Sequence, residues 1–478
     1  MHTFPNQLKN QHLLWRASFG PKAETLSELP GISQSDLYVD LIKTSSKKTV
    51  PFDVATNLLD GMVKGIQDVG MLQKLTHDQK KILRKQSVDE LKNLNLTWLN
   101  EMVNSDAQLK EKMSLFWHGH FACRVINIFF QQQLINIIRE NSLGNFGDLL
   151  RQVSKSPAML SFLNNQQNKK QHPNENFARE VMELFTMGRG NYREEDVKEG
   201  ARAFTGWGFN LQGEFVNRSF LHDNGNKTFL GKSGNFDGDD IINILLEQKA
   251  TAKFIIQKLY RYFVNDKPDP DKVEWLANRF YQNGYDLQKL MTDIFTSAWF
   301  FKSQNIGTHI KSPVELLVGI RRMIPMELEK PETQLLFERA LGQILFYPPN
   351  VAGWPGGKNW IDSSALMLRM RIPQILTDAD EFVVKPKDDD DTMMGMEGID
   401  PKTKARRVNA TINWEIVTRI FDKTPKEKLM QKIGDTVLQT KSKIDPTILG
   451  QYVDKGARDT FIKTTIVELM STPEYQLC

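Results

Sequence analysis

Met113-Ser114-Leu115-Phe116-Trp117-His118-Gly119-His120 decides how this chain is read. Met113, Phe116, Trp117 and His120 stand at i, i+3, i+4 and i+7, the spacing of a buried helix face. Phe129, Leu134 and Ile137 carry the pattern onward until Asn141-Ser142-Leu143-Gly144-Asn145 breaks it. The same period recurs on both sides. Upstream it covers Gln7 to Ala17, then Ser87 to Val103 with Leu91, Leu94, Trp98 and Met102 on one stripe. Downstream it predicts a short helix from Phe146 to Val153. Ser156-Pro157 then reads as an N-cap and first-turn proline opening a helix through Leu163. Pro173 opens a further helix that runs to about Met187 and stops at Gly188. Others follow from Glu194 to Phe204, from about Asp240 to Ser297, from Pro313 to Met323, and from Asn413 onward.

The period changes between these helices. Glu214 to Leu221 and Lys227 to Leu230 flank Asp223-Asn224-Gly225-Asn226, which predicts a β-hairpin at about 213–231. The expected fold is therefore mainly α, a multi-helical globular array with one short inserted hairpin. Residues 1–382 form its helical core. Residues 383–412, with Asp388 to Asp391 followed by Met and Gly, read as a flexible acidic insert. Residues 413–478 read as a C-terminal helical segment packing on the core.

Composition narrows function. Lys and Arg number 62 against 58 Asp and Glu among 478 residues, a balance that argues against a nucleic-acid partner. Two cysteines, Cys123 and Cys478, exclude a disulfide scaffold and a Cys-based zinc finger. No segment approaches the ~18 apolar residues of a membrane span. The N-terminus has no apolar signal region, so a native start at Met1 implies a cytoplasmic protein. A removed signal peptide would instead imply a periplasmic or exported one.

Four segments carry candidate chemistry. His118 and His120 at i, i+2 diverge on a helix and share a metal only if the chain opens at Gly119; otherwise His120 is a core histidine. On the Pro173 helix, Asn176, Arg179, Glu180 and Glu183 form a polar stripe. That stripe is either a solvated ion-pair ladder or a pair of carboxylates facing a cleft, with Arg179 holding an anion. His222-Asp223 is either a base with its carboxylate or a plain turn. Pro348-Pro349-Asn350-Val351-Ala352-Gly353-Trp354-Pro355 and Trp360 form a rigid loop. Its tryptophans either pack on the core or wall a cleft; a polysaccharide surface would need both rings exposed and coplanar. Among the remaining histidines, His2, His77 and His309 fall outside these groups, and His12 and His172 carry no obvious chemistry. There is no P-loop, Rossmann fingerprint or G-x-S-x-G elbow.

Taken in order, several blocks resemble the bacterial domain of unknown function 1800 family. They are His12-Leu13-Leu14-Trp15-Arg16, Phe116-Trp117-His118-Gly119-His120-Phe121, Asn145-Phe146-Gly147-Asp148 and Ser156-Pro157-Ala158-Met159-Leu160. Pro173 to Glu180, Ala201 to Trp207, His222-Asp223, Lys227 to Gly231, Lys311-Ser312-Pro313-Val314-Glu315-Leu316 and Pro348 to Pro355 continue the match. The resemblance implies a large helical bacterial protein with no established activity. It also implies a partner similar to sulfatases and phosphatases. The polar residues held in these blocks suggest one pocket, with His118, His120 and His222 as metal ligands and Glu180, Glu183 and Asp223 as catalytic groups. Asn176, Arg179, Trp354 and Trp360 would bind substrate. Such a ligand set suits Zn, Mn or Fe. The expected function is a metal-dependent hydrolase or oxygenase, the alternative a non-catalytic assembly partner.

Overall fold

The Met113 stripe is buried along its length, and so is the opposite side of its helix. A computed structural model describes residues 5–55, 58–59, 63, 68, 74–378, 381–382 and 406–478. In it the helix Gln108–His120 is packed by Asn6–Ala17, Gln34–Ser45, His77–Asn104 and Ile128–Asn141. Lys110, Glu111 and Lys112 on its polar side are buried with the apolar face. Burial of a charge requires a partner. Glu111 accepts from Trp98 Nε1 at 2.8 Å and from Arg139 Nη2 at 2.8 Å. Lys112 donates to Glu315 at 2.5 Å. A helix that is buried all round is the centre of a core rather than its rim.

The helix signals read from sequence hold. Ser156 Oγ accepts from the Met159 amide, with Pro157 in the first turn. Gly188 ends its helix at φ +74°. The Ser87 to Val103 stripe lies inside a longer helix, His77–Asn104, opened by a Thr76/Gln79 capping box. The stretch from Asp240 to Ser297 is four helices: Gly238–Leu246, Lys249–Phe263, Pro270–Gln282 and Leu287–Phe295. Asp237, Asp269 and Asp286 cap three of them.

The expected hairpin is corrected. Its two segments do not pair with each other. Phe215–Asn217 pairs backward with Trp207–Phe209, and Lys227–Phe229 pairs forward with Lys232–Gly234. The turn of the second hairpin is Leu230-Gly231, both at positive φ, 48° and 80°. That is the two-residue turn whose twist suits paired strands. Asp223 to Asn226 is instead a loop held by Arg202 and Lys227.

The described strands form four two-stranded antiparallel sheets in an otherwise helical chain. Of the expected 383–412 insert, residues 383–405 lie outside the described residues, while Ala410–Ile412 pairs with Met326–Leu328. The helix Arg458–Met470 packs on Ser363–Thr377 and Leu429–Val437. The last residues reach further in. Cys478 and His309 exchange backbone hydrogen bonds at 2.9 and 3.0 Å, and Lys311 N–H donates to Gln476 O at 2.9 Å. No helix among the described residues is long and apolar enough to cross a membrane.

Candidate functional site

The structure does not bring the expected polar residues to one point. On the helix that starts at Glu175, Asn176 is tied to the Leu163 carbonyl at 3.1 Å. Arg179 bridges Glu175 at 3.0 Å and Glu194 at 2.8 Å on the surface. Glu183 is bound by Arg189 and, at 2.8 Å, by the Tyr192 hydroxyl. Arg179 thus serves the solvated ladder. Glu180 is half-buried, and its carboxyl is raised by that burial and by the neighbouring Glu183. Asp223 accepts Arg202 in a fork at 2.8 and 3.2 Å, which holds its carboxyl below the ordinary range. His222 Nδ1–H donates to Thr205 O at 2.9 Å.

The histidine nitrogens are committed as well. His118 Nε2 accepts from the Phe346 amide at 3.0 Å, and its ring lies among Trp98, Phe346 and Trp354. Burial pushes it down to about 3, so it stays neutral. His120 donates from Nε2 to Phe185 O at 3.2 Å and accepts at Nδ1 from Lys258 at 3.1 Å. Among the described residues no group of three or more His, Cys, Asp and Glu is placed to hold a metal. His118, His120 and His222 therefore form no metal-ligand group with one another or with nearby carboxylates among the described residues.

Two expected elements do converge on a cavity, the His-Gly-His segment through His120 and the Trp–Pro–Gly loop. Gly353 takes φ +84°, and a Cβ there would lie 2.4 Å from the Gly119 carbonyl oxygen. Only glycine lets the Trp–Pro–Gly loop seat this closely on the His-Gly-His turn. Seated so, the loop places Trp354, Lys358 and Trp360 on the wall of a cavity of about 590 Å³. Trp360 is buried, so the pair of exposed coplanar rings needed for a polysaccharide surface is not formed.

Much of the rest of the wall comes from residues with no chemical role assigned from sequence. The helix Lys249–Phe263 supplies Lys258, Arg261 and Tyr262, and the chain after it supplies Asp266 and Lys267. The first turn of Pro313–Met323 supplies Glu315, and His309 stands just before it. Ser312 caps that helix, so the Glu315 carboxylate folds back to accept the Ser312 amide at 2.7 Å. The same oxygen accepts His309 Nε2–H at 3.2 Å, and the other accepts Lys112 at 2.5 Å. Burial alone would raise this carboxyl; Lys112 and His309 outweigh it and hold Glu315 well below the ordinary range.

His309 is fixed by this array. With Nε2–H given to Glu315, the network places the lone pair on Nδ1. Nδ1 is out of contact with water and has no hydrogen-bond partner, and Asp266 Oδ1 lies 3.9 Å away. Burial lowers the imidazole, so it is a neutral base. On the same wall the Tyr262 hydroxyl is also buried and unpartnered. His309 and Glu315 are six residues apart, but Lys112 joins them across 203 positions of sequence, which no local pattern reveals. The available signal was the Lys311 to Leu316 block, a capping box beside a histidine.

A family model described as "Protein of unknown function (DUF1800)" matches residues 12–477. No curated protein and no solved structure matches the chain.

Proposed function

The chain belongs to the DUF1800 family of proteins of unknown function, and from its cavity we propose an acid–base enzyme acting on a small anionic organic substrate. The observation that carries this reading is His309. Its Nε2 is oriented by a buried carboxylate, its Nδ1 has no hydrogen-bond partner, and the residue itself lines the cavity. A carboxylate that fixes the tautomer of a neutral histidine prepares it to take a proton and stabilises the imidazolium that forms. Asp266, 3.9 Å from Nδ1, adds a second negative group on the side where the new proton arrives.

The cavity's charge supports an anionic substrate. Arg261, Lys267 and Lys358 stand on its wall against Asp266 and Glu315, and Glu315 is already paired with Lys112. Arg261, Lys267 and Lys358 are exposed at the rim, where cations attract and orient an incoming anion. Trp354 and Trp360 give the apolar wall that a small organic body packs against.

The test is solvent exchange. A panel of small carboxylates and phosphate esters is screened by thermal shift, and those that bind are incubated with the protein in D2O and followed by proton NMR. The reading expects one or more ligands to lose a carbon-bound proton to solvent. His309→Gln keeps a donor for Glu315 and is expected to retain binding while abolishing exchange. Arg261→Ala/Lys358→Ala is expected to weaken binding and its salt dependence. Equal exchange in His309→Gln, or binding with no exchange for any ligand, would sink the reading; the second result would favour a non-catalytic binding role.

A further inference from the structure

Lys258 is the cavity residue that acid–base chemistry at His309 leaves without a task. We propose that Lys258 is a covalent amine nucleophile that forms an imine with the carbonyl carbon of the cavity's substrate. The ligand class is then a small aldehyde or ketone that also carries an anionic group. This rests on the acid–base reading and adds the electrophile.

Glu175–Glu180 continues as a π-helical turn, Val181–Thr186, before Gly188 stops it. Such turns displace carbonyls from the regular ladder and recur at functional sites. Here Phe185 O accepts His120 Nε2–H at 3.2 Å, and Leu184 O accepts Lys258 at 3.3 Å. The first bond fixes the tautomer of His120, whose Nδ1 must then be an acceptor. Lys258 donates to that nitrogen at 3.1 Å.

Lys258 therefore meets two acceptors, one neutral nitrogen and one carbonyl. No carboxylate among the described residues lies within ion-pair distance of it. Two acceptors match the two hydrogens of a neutral amine and leave its lone pair free. The Phe254 ring lies 5.0 Å from the nitrogen. Burial lowers this lysine to about 8. Relative to an exposed lysine, that raises the reactive neutral share by roughly two orders of magnitude. Desolvation in an apolar pocket is a known route to a nucleophilic lysine. The bland reading is a cation capping the last carbonyls of a helix. That role would be served best by an ammonium, and it gives no reason for a histidine nitrogen as the second acceptor.

The step balances without another reactant. The amine nitrogen adds to the carbonyl carbon, and the π pair of the C=O bond moves to oxygen, which takes up a proton. His120 Nδ1 accepts the first hydrogen from nitrogen. The carbinolamine then loses its oxygen as water while nitrogen gives up its second hydrogen and forms the C=N bond. Both amine hydrogens leave in that water.

The experiment uses the full chain with glyoxylate as probe and sodium cyanoborohydride as trap, followed by peptide mass spectrometry. Lys258 is expected to be modified at least about tenfold faster than the exposed lysines, in line with its larger neutral share. Lys258→Arg keeps a cation on Leu184 O and is expected to lose the adduct on this peptide. His120→Gln is expected to slow modification of Lys258 while leaving the exposed lysines unchanged. Modification of Lys258 at the rate of exposed lysines overturns the proposal. The two readings fail separately. Exchange of non-carbonyl anions that persists in Lys258→Arg, with no adduct in the wild type, removes the imine and keeps the base. An adduct at Lys258 with no His309-dependent exchange does the reverse.

Discussion

Two regions of this molecule hold carboxylates beside bases, and they differ in what surrounds them. On the surface, Arg179 joins Glu175 and Glu194 while Arg189 and Tyr192 hold Glu183. In the interior, Lys112, Glu315 and His309 form one array with less than a tenth of each residue exposed. The surface ladder can rearrange in water whenever a member is lost. The interior array cannot, because each charge was desolvated on the understanding of a partner. The comparison separates residues that look chemical from residues whose environment makes them so. The largest test of it is Glu315→Ala, which leaves the Lys112 ammonium buried and uncompensated and frees the Ser312 amide. Breaking a buried pair this way is expected to destabilise the fold by about 3–5 kcal/mol. Urea unfolding measures it, and a loss below ~1 kcal/mol would place the array among ordinary surface pairs.

A second buried carboxyl sharpens the contrast from the pH side. Glu338 is fully buried, accepts from Asn95 at 2.7 Å and from the Leu345 amide, and is raised by burial to about 8. Its other oxygen has no partner. With the folded value above the unfolded one, the folded state holds this proton more tightly. Its contribution is therefore fully present below about pH 4.3 and is lost as pH rises to about 8. Asp223, lowered by Arg202, has the opposite sign: its contribution is present above the unfolded value and is lost on acidification. Glu338→Gln is expected to remove a decline of a few kcal/mol between pH 5 and 8. Parallel unfolding curves for wild type and variant across that range would show that Glu338 does not carry it.

How much of this was legible in the sequence depends on the range of the forces involved. Ser156 with Pro157, and Gly188 at the end of its helix, act within one turn and could be read directly. The hairpin register could not, because it turns on Leu230, a branched residue at positive φ that no turn preference selects. The loop bearing Trp354 and Trp360 was legible as rigid, and it does wall a cavity. The base of that cavity was not. His309 sits alone in the sequence, and its environment is assembled from Lys112, Glu315 and Asp266 on separate segments. The helix bearing Glu180 and Glu183 drew attention because its charges are dense, and charges are dense where water solvates them.

The comparison also runs between two glycines in contact. Gly353 adopts φ +84°, and a Cβ added there would lie 2.4 Å from the Gly119 carbonyl oxygen, so Gly353→Ala is strained twice. It is expected to cost about 1–3 kcal/mol and to loosen the cavity wall. Gly119 lies inside the helix Gln108–His120, and a Cβ there meets nothing within 4 Å. Gly119→Ala is expected to stabilise by up to ~1 kcal/mol through helix propensity. Its new methyl stands on the cavity wall, so ligand affinity is the readout that separates space from stability. Two destabilised variants, or two neutral ones, would contradict the packing of the loop on the turn.

The smallest effect is expected where the sequence looked richest. Arg179→Ala removes a fork to Glu194 and a one-turn pair with Glu175. All three side chains remain in water, so their attraction is screened and their freed groups are rehydrated. The guanidinium is raised by Glu194, which records a good contact rather than a stabilising one, since the same solvent serves both partners when it breaks. The unfolding midpoint of Arg179→Ala is expected to shift too little to resolve, and 0.5 M NaCl should erase any remaining difference from wild type. The variant is also expected to leave anion binding in the cavity intact. A loss of binding would place Arg179 at the site after all, and would return the polar helix to the role that its sequence first suggested.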